Sequence, residues 1–188
     1  MKTLNQDPFI AFKEDFLTAE ELYFMLDRNT FEKSTVFGNG NKVEVANART
    51  SETYQDLNDD FRPIREKVFN LLSSVGFDYP FENYEGMQLI KYEEGQEFVN
   101  HYDFLNTDPN NKIHENERVG TAIIYLKEPI SGGRTVFNNL DIAVESKNKG
   151  LLFFRYDGKS RNETLHTGEK VLKGTKIIAT MFIRESRW

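Results

Sequence analysis

The spacing of hydrophobic positions changes along the chain, from helical near the N-terminus to strand-like beyond it. Leu17-Thr18-Ala19-Glu20-Glu21-Leu22 places a hydroxyl at an N-cap, a glutamate three residues on, and two leucines able to staple across the first turn. That signature predicts a helix running to about Asp27. From about Asp60, the residues Phe61, Ile64, Val68, Leu71, Leu72 and Val75 follow helical spacing, and Gly76 stands where a C-cap glycine belongs. Between these helices FGNGNK at 37–42 has no periodicity and is expected as a mobile loop or a hairpin tip. After Gly76 the pattern becomes short strand-like runs: MQLIKY, QEFVNHYDF, VGTAIIYL, TVFNNL, GLLFFRY, ETLHT and TKIIATMFIR, with turn residues between several of them. Short strands without regularly interleaved helices predict an antiparallel sandwich or barrel with the helices gathered on one side.

Composition narrows the class. A chain of 188 residues suits one domain, long enough to bury roughly 70% of its unfolded surface. Hydrophobic content is only 38%, but 16 Phe and 8 Tyr supply a bulky core. No cysteine is present, which excludes disulfides, iron–sulfur clusters, thiolate zinc sites and a cysteine nucleophile, and suits a reducing compartment. The opening MKTLNQDPF lacks an apolar signal core, and no stretch approaches 18 uncharged apolar residues. A soluble, cytoplasmic protein without a membrane partner is therefore expected. A net charge of -6 and a pI near 5.2 disfavour nucleic acid as a partner, because that affinity rests on Lys and Arg neutralising phosphates.

The chemistry starts at FVNHYDF, residues 98–104. On a strand His101 and Asp103 would share one face, with Tyr102 on the other. An HxD triplet alone is weak, arising by chance on the order of once in six such chains. Two histidines remain to complete a site. His114 sits in the polar loop DPNNKIHENER and is read as solvated, whereas His166 ends the run ETLH shortly before a strand of strong β-formers. Two imidazoles and one carboxylate leave three octahedral positions open, the arrangement of non-haem Fe(II) oxygenases. Zinc accepts the same ligands, but its structural sites are usually closed by four. An oxygenase of this type needs electrons, which a chelating 2-oxo acid can provide. If that acid is 2-oxoglutarate, its far carboxylate needs a cation inside a mostly apolar barrel. Lys176, ten residues beyond His166, fits, and strand alternation puts Ile178, Thr180, Phe182 and Arg184 on its face.

Taken in order, these motifs resemble the prolyl 4-hydroxylase branch of the Fe(II)- and 2-oxoglutarate-dependent dioxygenases across nearly the whole chain. FIAFKEDFLTAEEL is similar to that family's first strand and helix. EGMQLIKYEEGQEFVNHYDF is similar to its tyrosine strand, tight turn and HxD strand, and RVGTAIIYL with GGRTVF to the next two strands. GLLFFRY and LHTGEKVLKGTK are similar to the strands leading to the second histidine and the lysine. The resemblance implies a mainly β, α+β fold: a double-stranded β-helix (jelly-roll) core over about 81–188 with a helical support region over about 1–80, the whole forming a single domain. It implies that His101, Asp103 and His166 bind Fe(II), and that Lys176, Tyr92 and Thr135 hold 2-oxoglutarate. Arg49, Ser51, Glu85, Arg118 and Arg184 fall where the family lines its peptide groove. O2 is then a cosubstrate, ascorbate a reductant, and a proline-containing peptide or protein the partner, hydroxylated as procollagen proline is. A free amino acid or other small molecule is the alternative substrate, and a metal-binding jelly roll without turnover the alternative class. The family usually has Glu where Arg134 stands, Pro at Lys170 and Trp at Phe182, departures that bear on substrate identity more than on the iron ligands.

Overall fold

The structure, a computed structural model, describes residues 1–27, 30–34, 36–38, 41–43, 50–106 and 115–188. In chain order its strands are β1 (Lys2–Gln6), β2 (Phe9–Lys13), β3 (Glu32–Lys33), β4 (Val36–Gly38), β5 (Asn41–Val43), β6 (Glu52–Gln55), β7 (Gln88–Tyr92), β8 (Phe98–His101), β9 (Arg118–Lys127), β10 (Ser131–Gly132), β11 (Thr135–Phe137), β12 (Ile142–Val144), β13 (Leu151–Arg155), β14 (His166–Gly168), β15 (Val171–Lys173) and β16 (Lys176–Arg184). Helix α1 (Ala19–Leu26) follows β2, and α2 (Arg62–Ser73) follows β6.

The helix signals act as their residue types require. Thr18 accepts the Glu21 N–H at 3.2 Å while the Glu21 carboxylate accepts the Thr18 N–H at 2.7 Å, closing a reciprocal capping box. Glu21 also pairs with Lys67 at 2.6 Å and so ties α1 to α2. Gly76 ends α2 at φ +80, with the Phe77 N–H returning to the Leu72 carbonyl. Within the stretch 37–42, β4 pairs antiparallel with β5, Gly38 opposite Asn41, and residues 39 and 40 lie outside the described residues.

Two sheets form the jelly roll. The larger runs β1-β2-β13-β9-β16-β7-β6-β3 and the smaller β12-β11-β14-β8; β10 pairs with β15. Alternation sorts the long strands into two cores. Ala122, Ile124, Leu126, Leu151, Phe153, Ala179, Met181 and Ile183 face α1 and α2 and join Met25, Ile64, Val68 and Leu72. Ile123, Tyr125, Leu152, Phe154 and Ile178 face inward and meet Phe137 and Val144 of the smaller sheet. Fully burying side chains of this size contributes roughly 1.5–3 kcal/mol each, so both sides of the large sheet are firmly held.

Three expectations need correction in detail. The first eighty residues do more than provide helical support: β1, β2, β3 and β6 join the large sheet, β2 pairing with β13 and β6 with β7. FIAFK is a short apolar run, and its consecutive Ile10 and Ala11 are both buried. The run ETLHT is not one strand. Residues 161–164 form a 3-10 turn closed by the Thr164 hydroxyl donating to the Arg161 carbonyl at 2.6 Å, and β14 begins at His166. QEFVNHYDF likewise stops being a strand at His101, leaving Asp103 in the bend that follows.

Candidate active site

Register brings the two histidines together. His101 ends β8, His166 opens β14, and the two are paired residues across an antiparallel ladder, their ring centroids 4.2 Å apart. The bend after β8 turns Asp103 back onto them, so its carboxylate reaches them without strand alternation. Oδ1 lies 3.5 Å from His101 Nε2 and Oδ2 3.7 Å from His166 Nε2. All three donor atoms lie within 4.8 Å of one another, a spacing at which one ion can touch each.

Backbone carbonyls fix the imidazole tautomers. His101 Nδ1 is 2.8 Å from the Val99 carbonyl and His166 Nδ1 is 2.9 Å from the Thr164 carbonyl. A carbonyl can only accept, so each Nδ1 carries the proton and each Nε2 presents a lone pair to the site. Packing fixes the ring planes. Phe98 stacks on His101 at 3.5 Å, and Phe137 and Phe154 lie 5.6 and 5.0 Å from His166. Burial, reinforced by the neighbouring His101, pushes His166 down to about 4, so it is neutral at physiological pH. Burial alone would raise the Asp103 carboxyl, but the two histidines and the Thr121 hydroxyl hold it well below the usual carboxylate range. The donor set is thus two imidazole Nε2 atoms and one carboxylate, which fits Fe(II) with positions left open.

Thr121, which sequence reasoning missed, is the carboxylate's partner. Its hydroxyl donates to Asp103 Oδ2 at 2.8 Å and is 3.0 Å from the Tyr156 hydroxyl. Having given its proton to Asp103, Thr121 accepts from Tyr156, so a two-hydroxyl chain ends on the carboxylate. A signal existed in the sequence. Thr121 shares the inward face of β9 with Ile123 and Tyr125 and is fully buried, and a polar residue there requires a partner. Glu117 was also missed; its carboxylate accepts N–H groups of Leu105, Asn106 and Arg118 and so fixes the chain just after Asp103.

The Lys176 side chain is buried among rings. Its ammonium sits 5.5 Å from the Tyr92 ring and 5.8 Å from the Tyr125 ring, and Tyr92 is its partner in the β16–β7 register. The Tyr125 hydroxyl is 2.8 Å from that of Thr135, so Tyr92 and Thr135 both border the lysine's surroundings. Burial lowers Lys176 to about 8, only partly offset by the more distant Glu169. Among the described residues no carboxylate forms an ion pair with it, and Glu169 is engaged by Arg134 through two hydrogen bonds of 2.7 and 2.8 Å. A buried cation beside hydroxyls and aromatic faces is suited to an incoming carboxylate.

Glu85, Arg118 and Arg184 form one ion-paired cluster. Arg118 Nη1 reaches the Asp103 carbonyl at 3.4 Å, placing the cluster beside the three candidate ligands. Ser51 is buried just before β6, which runs between β7 and β3, and its hydroxyl is 2.7 Å from that of Ser34. Arg49 and His114 fall outside the described residues. A cavity of about 340 Å³ lined by Phe9, Phe77, Phe153 and Arg155 lies on the helical side of the large sheet and includes none of the three ligands.

Residues 87–184 match the 2OG-Fe(II) oxygenase superfamily model. The chain is 30% identical over 211 residues to prolyl 4-hydroxylase 2 of Arabidopsis thaliana, covering 97% of this chain and 69% of that protein. It is 31% identical over 121 residues to a putative prolyl 4-hydroxylase of Acanthamoeba polyphaga mimivirus, covering 60% of this chain and 50% of that one. Among solved structures, the viral collagen prolyl hydroxylase of Paramecium Bursaria Chlorella virus-1 in its 2OG complex superposes with a TM-score of 0.74 at 26% identity, covering 94% of this chain and 96% of that one. A prolyl hydroxylase from Trichoplax adhaerens in complex with a hypoxia inducible factor peptide shares the fold at a TM-score of 0.67 and 15% identity, covering 93% and 82%. With its two-histidine, one-aspartate donor set, the chain belongs to the 2OG-Fe(II) oxygenase superfamily and is a 2-oxoglutarate-dependent dioxygenase of the prolyl 4-hydroxylase-like kind.

Proposed function

We propose that this protein hydroxylates a prolyl residue in a peptide or protein. The observation that carries the reading is the pairing of His101 with His166 beside Asp103, inside a barrel that also buries Lys176 with no ion-pair partner among the described residues. Fe(II) held by these three ligands, with 2-oxoglutarate as the electron source and O2 as oxidant, supplies the hydroxylating chemistry. The chain's own residues do the rest. His101 and His166 offer Nε2 because their Nδ1 protons are engaged. Thr121 and Tyr156 hold the Asp103 carboxylate, and Lys176 takes the far carboxylate of 2-oxoglutarate, with Tyr92 and Thr135 alongside. The buried aromatic residues around His166 exclude water. Glu85, Arg118 and Arg184 line the substrate side; Arg49 and Ser51 are assigned to the same groove on resemblance alone. An extended polyproline segment leaves its carbonyls unpaired, which suits arginine donors. Ascorbate is assigned as the reductant that restores Fe(II) after uncoupled turnover, and leaving it out should shorten the linear phase of the reaction.

The test is incubation of the protein with Fe(II), 2-oxoglutarate and proline-rich peptides. The expected result is peptide-stimulated succinate release with a gain of one oxygen mapped to proline. Stimulation by a free amino acid, and by no prolyl peptide, would move the assignment to a small-molecule hydroxylase. No succinate under any condition would leave a metal-binding module.

A further inference from the structure

Arg118 and Arg184 share a single carboxylate. Glu85 Oε1 accepts from both Nε atoms, at 2.9 and 2.6 Å, and Oε2 accepts from Arg118 Nη2 at 3.0 Å. Glu85 is itself fixed by its N–H, which donates to the Phe182 carbonyl at 2.8 Å. The other contacts are Arg118 Nη1 to the Asp103 carbonyl at 3.4 Å and Arg184 Nη1 to the Asn116 carbonyl at 2.8 Å. A guanidinium has five N–H donors, so both arginines keep donors without an acceptor among the described residues. The neighbouring carboxylates are already committed. Glu117 holds three backbone N–H groups and faces Arg161 at 3.9 Å, and Asp103 belongs to the metal site. Glu85 is thus one carboxylate divided between two guanidinium groups, neither of which it saturates.

The chain as a whole carries -6, yet beside the three candidate ligands stands a pair of guanidinium groups that share one carboxylate. Solvent screens them weakly, because the Arg118 and Arg184 side chains are only 13% and 17% exposed. The Arg118 guanidinium also lies 3.5 Å over the Phe182 ring, which holds its plane. We propose that this cluster is a carboxylate subsite, so that the preferred substrate presents an acidic side chain beside the target residue or its own C-terminal carboxylate. The inference rests on the reading of a peptide substrate.

The experiment measures binding without turnover, by calorimetry on the full chain loaded with Fe(II) and 2-oxoglutarate under nitrogen. The titrants are N-acetylated prolyl peptides that differ at the flanking residue (Glu, Gln or Lys) and at the C-terminus (amide or free acid), each with a Pro→Ala twin. The Glu peptide amide should bind about tenfold tighter than the Gln amide, as expected for one charge-assisted hydrogen bond, and the margin should shrink as salt is raised. A gain confined to the free-acid arm would identify the chain terminus as the source. Arg184→Gln should erase the margin and Arg184→Lys should retain most of it. Equal affinity across Glu, Gln and Lys peptides in both terminal forms, or no peptide binding at all, overturns the subsite. Should acidic peptides keep their margin in the Pro→Ala twins, the subsite stands and the prolyl reading falls.

Discussion

At the scale of single residues, the site depends on groups that never touch the metal. Thr121 is one. Thr121→Val keeps shape and volume but removes a donor from a buried carboxylate oxygen, and lost partners of this kind typically lower metal affinity by about 10–100-fold. Fe(II) or Co(II) titration should show that loss, Thr121→Ser should restore most of it, and Tyr156→Phe, one hydrogen bond further out, should have a smaller effect. Unchanged affinity in Thr121→Val would remove the hydroxyl chain from the account. Lys176 supplies the second prediction at this scale. Its ammonium is charged below about pH 8 and neutral above it, and only the charged form can pair with a carboxylate. The apparent KM for 2-oxoglutarate should therefore be flat below pH 8 and rise above it, by up to about tenfold per pH unit. A profile flat to pH 9.5 would place the anchor on another group.

At the scale of elements, backbone conformation decides how close the chain can come to the lysine. Gly132 has φ +75, and a Cβ there would collide with the Lys170 carbonyl and sit 2.9 Å from the Leu172 backbone nitrogen. At Gly133, φ +74, a Cβ would press on the Lys176 stem at 3.3 Å. Gly132→Ala should thus push β10 away from β15 and cost roughly 1–3 kcal/mol, read as a lower denaturation midpoint together with a raised KM for 2-oxoglutarate. Sequence pattern reached some elements and missed others for physical reasons. The long strands β9, β13 and β16 are nearly continuous apolar runs of five or more residues, buried on both faces, and they were legible by their β-branched and aromatic content. Ile142–Val144 is three residues preceded by Asp141 at φ +53, and β10 is two residues, too short for any period to show. The histidines and Lys176 stood out as candidates because ligand chemistry restricts residue type. Asp103 was put forward through a strand face it does not occupy, since the bend after His101 leaves no periodic trace. Thr121 was passed over because one threonine among β-formers reads as ordinary strand.

At the scale of the whole molecule, the two sheets differ in how firmly they are held. Helices cover one side of the large sheet and the smaller sheet covers the other, whereas β8 stands at the end of the smaller sheet, with β14 its strand partner among the described residues. A metal that binds the folded chain alone stabilises it by mass action, by about 2.7 kcal/mol at a free concentration of 100 Kd. Added Fe(II) under nitrogen should therefore raise Tm, and a chelator should reverse the shift, while a His166→Ala variant should respond to neither. An unshifted Tm at saturating metal would mean the ion does not bridge the strands.

The pairing of His101 with His166 across an outer strand also has a kinetic side. An edge ladder is among the first places where native amides open, because a single neighbour protects it. One ion bonded to both histidines turns that ladder into a closed loop, so amide deuterium uptake over 98–106 should slow in proportion to metal occupancy while the β9 and β16 amides stay unmoved. An ion held by these three side chains would then be a clasp as well as a reagent, completing the chain that arranges its donors.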